Sequence, residues 1–589
     1  MRQRRVVTAL AIPLVFAFVA ASCGSDDDSS GDTDTGGTTA TEDTTDDGGE
    51  ETDGTEPGNA EGEVDTTVVE ETGEAVYGGS VTIGVEAEAP GLRPWEDSCA
   101  APCHALMWSL YDPFMDQVPG GGYAPFLAES IASNEDFTVW TMTLRPGVTF
   151  HNGTELTAQT VADMFPIQQA GATGSGGIAS ARLAGVTAID DLTVEYTLSE
   201  PNVAFPAALS DAPVGMPFDP AAAAADPVGY STNPIGTGPF TIVSRDIDNE
   251  TVVERNENYW YTTADGDQLP YLDSIAVRPI PDENTRLNAL LSGTVNAMQS
   301  LRQNTIRDAR AESGIELIEY QGNNTGGGMF NTQVPPFDDQ RVRMGLNMMN
   351  DQTRVIQALG GEGISVGSTQ WFSVDSPWWT QEAADSYPEF DFDGGSALIQ
   401  AYVDDPARSD GKSAGEPIDV ELSCPPDPTL IAAMQVLEQV WAGSGLVSVS
   451  LTQFDQATHI NNAISDAHRA HCWRFGGEGD PAASVNTAVA DPATSPTNNF
   501  PNYFDPALLE LANQANATDD AEERKSLYSQ IMTEWNNQAI MWYSGSTATM
   551  IAHDPAVKGI LGWEFPDGTL GVGIAPEAQM RWAQVFIEG

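Results

Sequence analysis

Apolar and polar residues alternate along parts of this chain, which predicts half-buried strands. From Phe137 to Phe150 the alternation places Trp140, Met142 and Leu144 on one face, and Arg145-Pro146-Gly147 supplies the turn. A second alternating stretch carries Val194, Tyr196 and Leu198. A shorter apolar strand, Gly-Gly-Ser-Val-Thr-Ile-Gly-Val, opens the stretch from about 79 to 98 and leads into a Pro-Gly loop that holds Trp95. Other segments follow the helical period. Residues 284–291 set Leu287, Leu290 and Leu291 on one face, with Gly293 fitting the C-terminal cap. Helices are predicted from near Asp338, carrying Val342 and Leu346, and from near Asp427 and Pro428, carrying Ile431, Met434 and Val440. Between them lies a loop rich in Trp and Ser, 365–380. Two further amphipathic helices span 506–515 and 521–535, the second with Leu527, Ile531 and Trp535 on one face. Strands interspersed with helices predict α/β lobes whose helices cover their sheets.

The N-terminus departs from this pattern. Arg2, Arg4 and Arg5 precede an apolar run from Val6 to Val19 and then Ala20, Ala21 and Ser22, the layout of an export signal. The run is shorter than the roughly 20 residues of a spanning helix. Ala20-Ala21-Ser22-Cys23 resembles the lipobox of bacterial lipoproteins, with alanine where leucine is commoner. That resemblance implies a lipid on Cys23, and two or more acyl chains would give stable membrane attachment. From Gly24 to about Glu74 the chain is mostly Gly, Ser, Thr, Asp and Glu, too polar to form a core. It is expected to be a disordered tether, with a span of roughly 40 Å for about 50 flexible residues.

The chain has 86 acidic against 24 basic residues and a net charge of −62. Nucleic acid is excluded as a natural partner. The 589 residues leave room for two or three lobes. Surface adaptation to high salt and simple solubility both account for the acidity. Of five cysteines, Cys23 is assigned to lipid, and the other four form two candidate disulfides in an oxidising compartment, Cys99 with Cys103 and Cys424 with Cys472. A metal site built from His468, His471 and Cys472 is the competing use, but no clean ligand spacing completes it.

Several blocks in one order resemble the extracytoplasmic solute-binding proteins of the family that serves oligopeptide, dipeptide and nickel ABC importers, family 5. They are residues 123–130, the strand Phe137 to Phe150 with the following 151–158, then 233–240, 254–260, 270–273, 330–332, 335–339 and 341–343. The resemblance covers about 79–560. It implies an α/β, two-lobed periplasmic-binding-protein-like fold of type II, hinged between lobes, with an additional subdomain. Residues 1–22 would be the signal and 23–74 the lipidated tether. Lobe I would combine 75–98, 230–325 and 548–589, with the additional subdomain at 99–229 and lobe II at 326–547. The family implies a lipid-anchored monomer outside the cell membrane. It would capture a small solute, with a peptide as the leading class, and pass it to permease and ATPase subunits without any cofactor or catalysis of its own. A solute-sensing surface receptor is the alternative reading.

By position the ligand contacts are expected from Trp95, Asn331, Trp371, Trp473, Arg474, Glu478 and Asp480. Peptide-binding members of the family carry an aspartate for the ligand's amine in the loop after the strand of Trp473. Here that place falls on Gly477, with Glu478 beside it. A hydrolase is the third class considered, because Gly363-Ile364-Ser365-Val366-Gly367 matches Gly-x-Ser-x-Gly. A nucleophile elbow needs a strand before the serine and a helix after it, whereas a helix and then a Ser/Trp-rich loop are predicted here. His151, in a turn-like His-Asn-Gly-Thr sequence, is read as structural.

Overall fold

In the computed structural model the described residues run from 75 to 588, apart from 98, 100, 120, 476–478, 495–498 and 576–578. The export signal, Cys23 and the acidic tether lie outside the described residues.

Ten strands form one mixed sheet. Its order is Val447–Gln453, Ile418–Cys424, Ala470–Phe475, Glu316–Phe330, Met541–His553, Ala297–Ser300, Ser80–Val85, Ser274–Pro279, Glu250–Arg255 and Phe240–Asp246. Each end of the sheet has a parallel core. Ile418–Cys424 runs parallel to Val447–Gln453 and Ala470–Phe475, and Ser80–Val85 runs parallel to Ser274–Pro279 and Ala297–Ser300.

Two long antiparallel strands in the centre tie these halves together. Residues 316–321 pair with 548–553, beside Ala297–Ser300, while 325–329 pair with 541–546, beside Ala470–Phe475. The pairing slips between Gln321 and Thr325 and again between Gly326 and Gly327, so the crossing is irregular. Glycine is required at this point, because a side chain on Gly327 or Gly328 would run into Trp542.

Ala128–Ser133, Val139–Leu144, Thr193–Leu198 and Leu183–Ala188 make a separate antiparallel sheet. As the alternation predicts, Trp140, Met142, Leu144, Val194, Tyr196 and Leu198 are all buried. The helix Ala158–Ala170 packs on this sheet through Val161 and Met164, and its start is closed by a capping box at Thr157.

The predicted helices form, each opened by an aspartate that caps its free N–H groups. Asp282 caps Glu283–Leu291, Asp339 caps Gln340–Met348, Asp427 caps Pro428–Gly443, Asp505 caps Pro506–Asn516 and Asp520 caps Ala521–Gln538. Leu527, Ile531 and Trp535 are buried together, as expected. Leu291 differs from the expectation and is 39% exposed. It is the last helical residue, rotated about 100° from buried Leu290, and the chain turns away at Ser292 before another element can cover it. Gly293 follows at φ +71°, a conformation suited to glycine.

Candidate ligand cleft

Where the two halves of the large sheet meet, a cavity of about 310 Å³ lies beyond the carboxyl ends of parallel strands. Glu86 follows Ser80–Val85, Arg302 comes just after Ala297–Ser300, and Pro425 follows Ile418–Cys424, and all three line it. The opposite wall is aliphatic, with Leu430, Ala433, Met434 and Leu437 presented by the helix Pro428–Gly443. A second cavity, about 550 Å³, lies between Gly176, Ser180 and Pro213 on one side and Trp371, Phe475 and Phe500 on the other. Cys99, Ile460 and Trp473 line both, so the two cavities are one cleft partitioned at Trp473.

Charged groups reach across this cleft. The Arg302 guanidinium donates to Asp427 at 3.0 Å and lies 3.4 Å from Glu86. Burial alone would lower the Arg302 pKa, but Glu86, Asp427 and Glu283 together raise it. Burial likewise opposes ionisation of Asp427, and Arg302 leads the effects that bring it below the usual carboxylate range. Farther along, Arg182 donates to Asn513 at 2.6 Å and to Asn486 at 3.4 Å, and Ser180 donates to the Ala483 carbonyl at 2.8 Å. These bonds fasten the region of the small sheet to the helices Ala482–Val489 and Pro506–Asn516.

The seven expected contact residues divide. Trp371, Trp473 and Arg474 line the cleft. Trp371 rests on Phe475 and Trp535, with ring centroids 5.0 and 5.3 Å away. Trp473 lies 4.8 Å from Phe500. Arg474 is half-buried, and its Nη1 is enclosed with no hydrogen-bond partner among the described residues.

Trp95, Asn331 and Asp480 are held elsewhere. Trp95 is buried against Phe218 and Tyr230 at 4.1 and 5.2 Å. Asn331 donates to the carbonyls of Asp466 and His468 and accepts from Gln333 N and Asn502 Nδ2, so its amide organises a turn. Asp480 receives two bonds from Arg524, at 2.6 and 2.7 Å, and caps Ala482 N. Gly477 and Glu478 lie outside the described residues.

Both candidate disulfides are within reach, with Cα separations of 5.4 Å for Cys99 and Cys103 and 5.1 Å for Cys424 and Cys472. Cys99 and Cys472 both line the cleft. The histidines near Cys472 are engaged inside the protein: His471 Nδ1 is 2.7 Å from Ser423 Oγ, its Nε2 is 3.1 Å from the His459 carbonyl, and the two rings stack at 3.5 Å. Burial pushes the His471 imidazole down to about 2. No group of three or more metal-ligating side chains occurs among the described residues.

Ser365 lines the cleft but follows the helix Gln352–Ala358 and a turn, with no strand before it and no helix immediately after. Its hydroxyl accepts from Gln303 at 3.3 Å. His151 receives Gly236 N–H on Nδ1 at 3.3 Å, which leaves Nε2 to donate to the Gly238 carbonyl at 3.1 Å. It pins the glycine-rich loop before Phe240 as a neutral ring, and burial holds its pKa down at about 4.

Sequence reasoning missed Glu86, Arg302 and Asp427. Their signal was available, since each is a charged residue within a few positions of a strand's carboxyl end, where ligands of open α/β sheets gather.

The profile of the bacterial extracellular solute-binding proteins, family 5 (middle region), matches residues 122–507. The chain is 25% identical over 485 residues to the dipeptide-binding protein of Escherichia coli K12, covering 74% of this chain and 83% of that one. It is also 25% identical over 489 residues to heme-binding protein A of Haemophilus influenzae, covering 76% and 84%. Among solved structures, the periplasmic binding protein DppA of Helicobacter pylori, in complex with the peptide STSA, superposes with a TM-score of 0.73 at 20% identity, covering 87% of this chain and 99% of that one. The two-lobed type II fold expected from the sequence is therefore shown. With its family profile, its fold and a cleft at the carboxyl ends of two parallel strand sets in agreement, this chain belongs to the bacterial extracellular solute-binding proteins of family 5.

Proposed function

We propose that this chain captures a small solute, with a peptide as the leading class, in the cleft between its lobes and hands it to the permease and ATPase subunits of an ABC importer. The observation that carries this reading is the cleft itself, which is walled from both halves of the sheet and bridged by Arg302 and Asp427. A ligand touching both halves binds the closed form better than the open one and shifts the population toward closure. A transporter that recognises the closed form then receives loaded protein.

The same proposal assigns lobe I to 75–98, 230–325 and 548–589, the additional subdomain to 99–229 and lobe II to 326–547. It anchors the protein by a lipid on Cys23 to the outer face of the cell membrane, as a monomer. Binding without catalysis is supported by the surroundings of Ser365, which lack the strand and helix of a nucleophile elbow.

The test is native mass spectrometry of the purified protein, followed by melting curves with peptides, heme, sugars and nickel chelates. A true ligand at a hundredfold excess over Kd stabilises by about 2.7 kcal/mol. If nothing co-purifies and no solute raises the melting temperature, the reading fails. Palmitate labelling that survives Cys23→Ser would refute the anchor.

A further inference from the structure

We propose that the cleft selects its ligand through a carboxylate paired with Arg474, the ligand's body lying on the aliphatic wall of the helix Pro428–Gly443. This deepens the solute-capture reading and rests on it.

The first observation is the state of Arg474. In a chain with 86 acidic residues against 24 basic ones, most buried guanidinium groups pair with carboxylates, and Arg343, which does not, is held by the carbonyls of Gln538 and Phe337. Arg286 has Glu283, Arg302 has Glu86 and Asp427, Arg408 has Asp410, Arg524 has Asp480 and Arg581 has Asp116. The Arg474 side chain has neither an ion pair nor a hydrogen bond among the described residues, although Nη1 is fully enclosed. An enclosed cation without a partner is costly, and an anion arriving with the ligand removes that cost.

The second observation is the room beside it. Arg474 is registered opposite Gly326, which is registered opposite Gly545, so the row across three strands carries one long side chain and two bare positions. All three line the cavity, and a side chain on Gly545 would collide with the Val366 carbonyl. The glycines leave a floor on which a ligand group can lie against the guanidinium. Ser544 and Ser546, in the same lining, add hydroxyl groups.

The third is what the cavity lacks. Among the described residues its one lining acid is Glu86, which faces Arg302. Among the described lining residues an ammonium group finds no uncommitted carboxylate, whereas Leu430, Ala433, Met434 and Leu437 suit an aliphatic body.

Calorimetry on the full chain with three probes tests this: N-acetyl-leucyl-leucine, its C-terminal amide, and leucyl-leucinamide, which carries only the amine. The acid should bind at least tenfold tighter than its amide, and the amine probe should bind weakest. Arg474→Gln should weaken the acid about ten- to hundredfold, the range expected for a charge-assisted bond, and the neutral amide far less, so that the preference for the acid disappears. Arg474→Lys should keep part of the preference, and melting curves of both variants check that they are folded. Equal binding of acid and amide, a preference that survives Arg474→Gln, or tighter binding of the amine probe overturns the proposal while leaving solute capture intact. If all three probes fail, this proposal falls. Capture itself falls only if the purified protein also carries no solute and none of the wider panel stabilises it.

Discussion

Asp480 and Arg524 form a doubly hydrogen-bonded pair with both side chains largely out of solvent, 14% and 9% exposed. Removing one member of such a pair strands the other charge, at a cost of about 3–5 kcal/mol. Asp480→Ala should therefore lower stability by roughly that amount in chemical denaturation and leave solute affinity unchanged in calorimetry. A loss of affinity with unchanged stability would return Asp480 to the ligand. Protonation gives a second residue-level prediction. Burial holds His151 at about 4 and His471 at about 2, below the ordinary 6.5, so as pH falls the unfolded chain takes up these protons first. Their contribution is intact above pH 6.5 and is lost progressively below it. Asp112 acts in the opposite direction. Burial lifts it from 3.8 to about 7 even though Trp260 and Tyr259 donate to it. Between about pH 6.5 and 4 the folded state thus holds one proton more at Asp112 and fewer at His151 and His471, and burial lowers His459 and His468 in the same direction. Each group gives a slope of up to about 1.4 kcal/mol per pH unit, so the loss at the histidines outweighs the gain at Asp112. In Asp112→Asn the compensating gain is absent, and the fall in denaturation free energy from pH 6.5 to 4.5 should be steeper by up to about 1.4 kcal/mol per pH unit; an unchanged slope would refute the assignment.

The helix Pro428–Gly443 depends on one residue for two purposes. Asp427 caps it by accepting from Thr429 N and Leu430 N at 2.9 and 3.0 Å, and the same carboxylate receives Arg302 from across the cleft. The two uses can be separated. Asp427→Asn keeps a capping side chain but discards the charge, so stability should stay within about 1 kcal/mol while solute affinity drops about tenfold. Asp427→Ala should lose both, and equal affinity in all three proteins would remove the bridge from the account of closure. Elements of this kind were legible in the sequence because their signals are local. The aspartates before the helices and the alternation through Trp140, Met142 and Leu144 act over a few residues, and the fold followed from them together with the family blocks. The cleft was only partly legible. Trp473, Arg474 and Trp371 were found by position, but Trp95 packs on Phe218 and Asp480 belongs to Arg524, partners fixed by chain segments far away in sequence. Glu86 and Arg302 escaped for the complementary reason, since a single charged residue after a strand means little until the sheet shows which strand ends meet.

Charge governs the molecule as a whole. With a net charge of −62, the unscreened chain repels itself, and bringing two lobes together adds to that repulsion. Screening shortens from about 10 Å at 0.1 M salt to about 3 Å at 1 M, so both the melting temperature and solute affinity should rise over that range. A protein no more stable in molar salt would leave solubility as the reason for the acidity. Small-angle scattering with and without bound solute should show contraction on loading, and Asp427→Asn should contract less. The crossing strands set one more property of the whole chain. Met541–His553 lies in the middle of the sheet, between Glu316–Phe330 and Ala297–Ser300. Until residue 541 has been synthesised, the strands on either side of that gap each lack the partner on their facing edge, and Arg581, which clamps buried Asp116, comes later still. A nascent chain therefore stays without its central staple until synthesis has passed residue 541, which leaves its two halves unjoined through most of elongation and makes a deletion that reaches back into Met541–His553 a defect in assembly.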